Sequence, residues 1–199
     1  MKSHGSSAAP EARPSTLRER ILSTASKLFY KNGVHAVGVD LVVKESGIAK
    51  TSLYRHFGSK DSLVAAFLEE EDADFWRQWD GIAARYRESP AAELDAYVDW
   101  LATRLRRPGY RGCPQLNVAA ELPDSKHPAR RVARAHEEKM RERFASLARR
   151  LGLRRPVEIG AQLALIFDGA FISAPVSDGD QLAATFKKTV RTLLKAAAD

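Results

Sequence analysis

The sequence has one cysteine, Cys113, among its 199 residues, which excludes an internal disulfide framework. It has no uninterrupted run of eighteen apolar residues, so no segment reads as a membrane span. The opening stretch MKSHGSSAAPEARPS carries a basic residue but lacks the apolar core of a secretory signal. Together with the lone cysteine, this predicts a chain that works in the reducing cytoplasm. The strict apolar–polar alternation of a half-buried strand is also missing. The expected fold class is therefore all-α.

Helical periodicity is present almost throughout, and 44% of residues are apolar, enough for a sizeable core. Thr16 and Glu19 have capping-box spacing, and Leu17, Ile21, Leu22, Ala25, Leu28 and Phe29 then share one face. Asn32-Gly33 ends that helix. Two short helices follow, about Val39 to Glu45 and Lys50 to Phe57, separated by Gly47. Longer helices are expected from Ser59 or Lys60 into the eighties, from Pro90 to about Arg107 and from Pro128 to about Leu151, with a short one from Cys113 or Pro114 to Glu121. Two apolar helices, Val157 to Ala174 and Asp180 to Ala197, close a count of nine. The expected organisation is a disordered tail over 1–14, a helix-turn-helix domain over 15–60 and a helical regulatory and dimerisation domain over 61–199.

Charge is unevenly spread. Residues 1–60 hold ten Lys and Arg against four Asp and Glu, a net +6, while the other 139 residues hold 22 against 21. A basic segment on a neutral body points to a polyanion partner. Within it, two short helices joined by a glycine-containing turn form a helix-turn-helix, whose second helix enters the major groove. Lys50, Thr51, Ser52 and Arg55 can then reach base edges or phosphates, and Tyr54, His56 and Lys60 can reach phosphates. Leu53 and Phe57 share the inward face. The predicted partner is double-stranded DNA.

The stretches ILSTASKLFYKNGVHAV and SGIAKTSLYRHFGSKDSL resemble the DNA-binding domain of the TetR family of transcriptional regulators. The family's Leu-Tyr-x-His-Phe core, with a lysine three residues on, is present as Leu53, Tyr54, His56, Phe57 and Lys60. GCPQLNVAAELPDSKHP also resembles a stretch found in one subset of the family. The resemblance implies a homodimeric repressor paired through its last two helices. It also implies a palindromic operator and release by a small ligand in the C-terminal domain. Carried across by position, Lys50, Thr51, Ser52 and Arg55 face bases while Tyr54, His56 and Lys60 bind phosphate. Three positions depart from the family. Gly38-Val39 stands where a hydroxyl residue is frequent, Asp40 where some members carry a basic residue, and Ala49 where an N-cap serine is common.

For the ligand the sequence offers Cys113, Leu116, Asn117 and Glu121 around one short helix, the aromatics Tyr97, Trp100, Tyr110, Phe144, Phe167 and Phe171, and Asp168 inside an apolar run. The same spacing also builds cores. Cys113 near a helix start raises redox sensing as an alternative, and Cys113 with His127 and His136 raises metal sensing, although their spacing matches no dense ligand motif. No cofactor, bound metal or catalytic group is expected, and the chain does not read as an enzyme.

Overall fold

The computed structural model describes residues 16–198; the tail expected over 1–14 lies outside them. Nine α-helices make up the described fold: α1 (Leu17–Asn32), α2 (Val39–Ser46), α3 (Lys50–Phe57), α4 (Lys60–Arg85), α5 (Pro90–Leu105), α6 (Pro114–Glu121), α7 (Pro128–Arg150), α8 (Pro156–Ser173) and α9 (Gly179–Ala198). Their starts follow local chemistry. Thr16 and Glu19 form the expected reciprocal capping box. Ser59 and Ser89 accept from the backbone N–H of Ser62 and Ala92. Proline opens α5, α6, α7 and α8, where its missing N–H costs nothing.

Two apolar cores result. The first joins Ile21, Phe29, Val42, Leu53 and Phe57 of α1–α3 to Leu63–Leu68 of α4, and also takes in Val118 of α6 and Ala129 and Ala133 of α7. The second holds Trp76, Trp79, Tyr97, Leu101, Met140, Phe144, Leu163, Phe167 and Phe186 from α4, α5, α7, α8 and α9. Helix α4 passes through both; its 26 residues span about 39 Å at 1.5 Å per residue. Along α4 the first core therefore extends eight residues beyond residue 60, because one unbroken helix serves both units.

Helix α8 packs along α7. With the 3₁₀ turn Ala174–Val176 that follows it, it is long and apolar enough to cross a membrane by length and composition, with a mean hydropathy of 1.5. Glu158 and Asp168 interrupt its apolar run. The hydropathy comes from two apolar faces. Ile159, Leu163, Ala164, Phe167, Ala170 and Phe171 face the core, while Val157, Leu165, Ile172 and Val176 are exposed.

Candidate nucleic-acid interface and cavity

The helix-turn-helix is built on glycine and two apolar anchors. Gly47 ends α2 in the left-handed conformation (φ 66°, ψ 26°), and its N–H donates to Val43 O. Arg20 of α1 donates to Ser46 O at 3.1 Å, which pins the end of α2. Leu53 and Phe57 are buried on α3, and the Arg18 guanidinium lies 5.0 Å from the Phe57 ring centre. This leaves Lys50, Thr51, Tyr54, Arg55 and His56 exposed, with Ser52 and Lys60 half-buried. Neither Gly38 nor Ala49 supplies a side-chain cap to the helix it precedes. Asp40 instead forms an ion pair across the turn, its carboxylate 2.7 Å from Lys50 Nζ. That hydrogen bond from Lys50 to Asp40 raises the Lys50 pKa.

Above the reading head lies a cavity of about 500 Å³. Its walls come from Ser23, Lys27 and Tyr30 of α1, Glu71, Phe75 and Gln78 of α4, Arg104 of α5, Tyr110 and Cys113 between α5 and α6, Gln115 of α6, His136 of α7 and Phe171 of α8. It is therefore walled jointly by the reading head and the larger helical body. Burial raises the pKa of Glu71 and Tyr30.

The same junction carries direct bonds. Tyr30 Oη donates to Gly112 O at 3.1 Å and accepts from Arg111 N at 3.0 Å. The Arg111 guanidinium donates to Lys31 O. His35 N donates to the Glu121 carboxylate at 2.9 Å, and His35 Nε2 lies 2.6 Å from Glu121 O, which can only accept. Gly112 is fixed by close approach as well as by conformation (φ 79°), since a Cβ there would meet Phe171 O at 2.1 Å.

Residues 21–67 match the profile of bacterial regulatory proteins, tetR family. Over 142 residues the chain is 31% identical to the HTH-type transcriptional regulator LmrA of Bacillus subtilis (strain 168), covering 66% of this chain and 75% of that protein. An uncharacterized HTH-type regulator of the same organism, YxaF, is 58% identical over 48 residues, 24% of this chain and 25% of that one. The fold superposes on a TetR-family transcriptional regulator from Streptomyces coelicolor with a TM-score of 0.87, at 31% identity over 92% of this chain and 96% of that chain. The chain belongs to the TetR family.

This TetR-family protein is accordingly a DNA-binding transcriptional regulator, and its relatives are named as regulators, not enzymes. Of the eleven residues expected around a ligand, Tyr110, Cys113 and Phe171 line its cavity. The others lie elsewhere for identifiable reasons. Tyr97 stacks on Trp79 with ring centres 3.8 Å apart, and its hydroxyl donates to Glu93 at 3.1 Å. Phe144 and Phe167 pack on each other in the second core, and Leu116 rests against that core. Trp100 donates to Gln78 at 3.3 Å and lies under Arg104. Asn117 donates to Arg111 O, and Glu121 is taken by His35. Asp168 is partly buried beside Glu137; burial first, then Glu137, pushes its carboxyl up to about 7.

The sensor alternatives do not fit this placement. Burial pushes the Cys113 thiol up to about 12, so the thiolate that oxidants attack is scarce at neutral pH. His127 faces Asp61 at 3.4 Å and His136 faces Asp72 at 2.6 Å. Among the described residues no three His, Cys, Asp or Glu side chains are grouped closely enough to hold a metal.

Sequence reading missed the α1 wall and Gln115, and it considered His136 as a metal ligand, not as a cavity residue. The α1 signal was available: Ser23, Ser26, Lys27 and Tyr30 follow i, i+3, i+4, i+7 spacing, which puts them on one face.

Proposed function

We propose that the protein is a homodimeric repressor that binds a palindromic operator and is released by a small molecule occupying the cavity. In this reading Lys50, Thr51, Ser52 and Arg55 meet base edges, and Tyr54, His56 and Lys60 hold phosphates. The domain roles are a reading head over 15–60 and a regulatory, dimerising body over 61–199, acting in the cytoplasm where the DNA is. The observation that carries the ligand part is the shared wall. Helix α1 belongs to the reading head, yet Ser23, Lys27 and Tyr30 line the cavity. A ligand that fits only one setting of α1 against α4 and α6 shifts the population towards that setting.

Dimerisation is supported by the exposed apolar stripe on α8. Leu165 is 72% exposed and Ile172 52%, with Val157 and Val176 in line at helical spacing. A second copy of the same stripe covers it most simply. The outward face of α9 contributes less, since it carries Gln181, Thr185, Lys188 and Thr192.

Selection of bound duplexes from a random pool tests the proposal. Recovered sites should be two-fold symmetric, with half-site centres separated by a whole number of helical turns. Enrichment of asymmetric sites, or none at all, contradicts it.

A further inference from the structure

We infer that the cavity takes a neutral aromatic molecule that donates hydrogen bonds, through hydroxyl or amine groups, to Gln115 Oε1 and His136 Nε2. This rests on reading the cavity as the effector site and names the chemistry of the occupant.

Both acceptors are buried and unpaired, as is the Arg104 Nε donor on the same lining. Gln115 and His136 are each 2% exposed, and both line the cavity. Gln115 Nε2 donates to Leu68 O at 3.0 Å. Because a carbonyl can only accept, this orients the amide and leaves Oε1 as the free end. His136 Nδ1 lies 2.6 Å from Asp72 Oδ1, an atom already fixed by Trp76 Nε1 at 2.7 Å. A carboxylate also only accepts, so Nδ1 carries a proton, and in the neutral tautomer the lone pair is on Nε2. Neither Gln115 Oε1 nor His136 Nε2 has a hydrogen-bond partner among the described residues. Buried acceptors are normally satisfied, and two bordering one cavity call for a ligand that brings the donors.

Shape and charge narrow the class. Phe75, Tyr110 and Phe171 give aromatic walls, which suit a flat aromatic frame. A volume of about 500 Å³ fits a small molecule of ordinary size. Lys27, Arg104 and Arg107 are balanced by Glu70, Glu71 and Asp74, three of each sign, so the lining selects neither a cation nor an anion.

Calorimetric titration of the full-length protein with matched naphthalenes tests this. A naphthalenediol and a diaminonaphthalene carry donors; the dimethoxynaphthalene of the same substitution pattern has none. The diol or the diamine should bind at least about tenfold more tightly than the dimethyl ether, and the stronger of the two identifies the donor group. His136→Asn keeps a donor for Asp72 and removes the ring's far nitrogen. Gln115→Met removes the other acceptor. Each should reduce the preference to below about threefold while leaving the helical circular dichroism intact; if one variant unfolds, the other and the wild-type comparison decide. Equal or tighter binding of the dimethyl ether, binding of none of the three, or a preference that survives both substitutions overturns the inference. DNA affinity is measured in the same samples. A donor compound that binds with the stated preference yet leaves DNA affinity unchanged upholds this chemistry and overturns the effector reading.

Discussion

The hydroxyl of Tyr30 on α1 donates to the backbone carbonyl of Gly112 at 3.1 Å, joining the reading head to the loop that leads into α6. The same oxygen accepts from Arg111 N, so one phenol satisfies two backbone groups of that loop. The loop has little freedom to adjust, because the Gly112 Cα sits against Phe171 O. This oxygen therefore ties α1 to a loop that is itself packed against α8.

Tyr30→Phe removes both bonds and leaves the Gly112 carbonyl and Arg111 N–H unpaired. The expected loss is about 1–2 kcal/mol of unfolding free energy, as for other partly buried hydrogen bonds. Urea denaturation should show a lower midpoint with an unchanged slope. An unchanged midpoint would mean that the joint contributes nothing.

Asp40 holds the ammonium of Lys50 at 2.7 Å on the exposed face of the reading head. In the free protein it both occupies a cation and presents a negative charge to DNA. Asp40→Asn should tighten binding to any duplex a few-fold. Lys50 is then free to approach the duplex, and the slope of log affinity against log salt should steepen. Anisotropy at several salt concentrations measures both. Weaker binding would mean that Asp40 itself contacts the operator.

The helix boundaries and the reading head were legible because they depend on local rules. Capping residues, opening prolines and the Gly47 turn each act within four residues of the chain. The cavity was less legible because its wall is assembled across distance. Tyr97 and Phe171 both look like wall aromatics in sequence, but only tertiary packing separates them: Tyr97 meets Trp79 of α4, and Phe171 lines the cavity. Gln115 and His136 carry no periodic signal as acceptors. Their free ends emerge only when Leu68 O and Asp72 are seen to occupy the other ends.

Asp168 gives the fold a pH signature. Its ordinary value of 3.8 is raised to about 7, first by burial and then by Glu137. Between those values the unfolded chain has released the proton while the folded chain retains it. The stability contributed by the protonated side chain is thus complete below the unfolded value and is lost as pH rises towards 7. Relative to Asp168→Asn, the wild type should lose stability from about pH 4 to pH 7 and then level off. Thermal unfolding of both proteins across that range checks it; parallel curves would remove Asp168 as the cause.

Leu165 lies at the centre of the exposed α8 stripe. Leu165→Glu should leave each subunit folded but place a charge in the subunit contact. Sedimentation velocity should then report the 22.0 kDa chain where the wild type sediments at twice that mass. Operator affinity should fall with it, because two linked heads bind far more tightly than one. A variant that remains dimeric would put the contact elsewhere.

The central claim is that α3 reads a defined DNA sequence, with Arg55 among the base-reading side chains. The most direct test is fluorescence anisotropy of the wild type and Arg55→Ala on the selected operator and on a scrambled duplex, at matched salt. The account predicts that the wild type prefers the operator by about 10³-fold or more. Arg55→Ala should lose about 1–3 kcal/mol of that discrimination while its weak binding to the scrambled duplex changes far less. Equal affinity of the wild type for both duplexes, or unchanged discrimination in the variant, would contradict it.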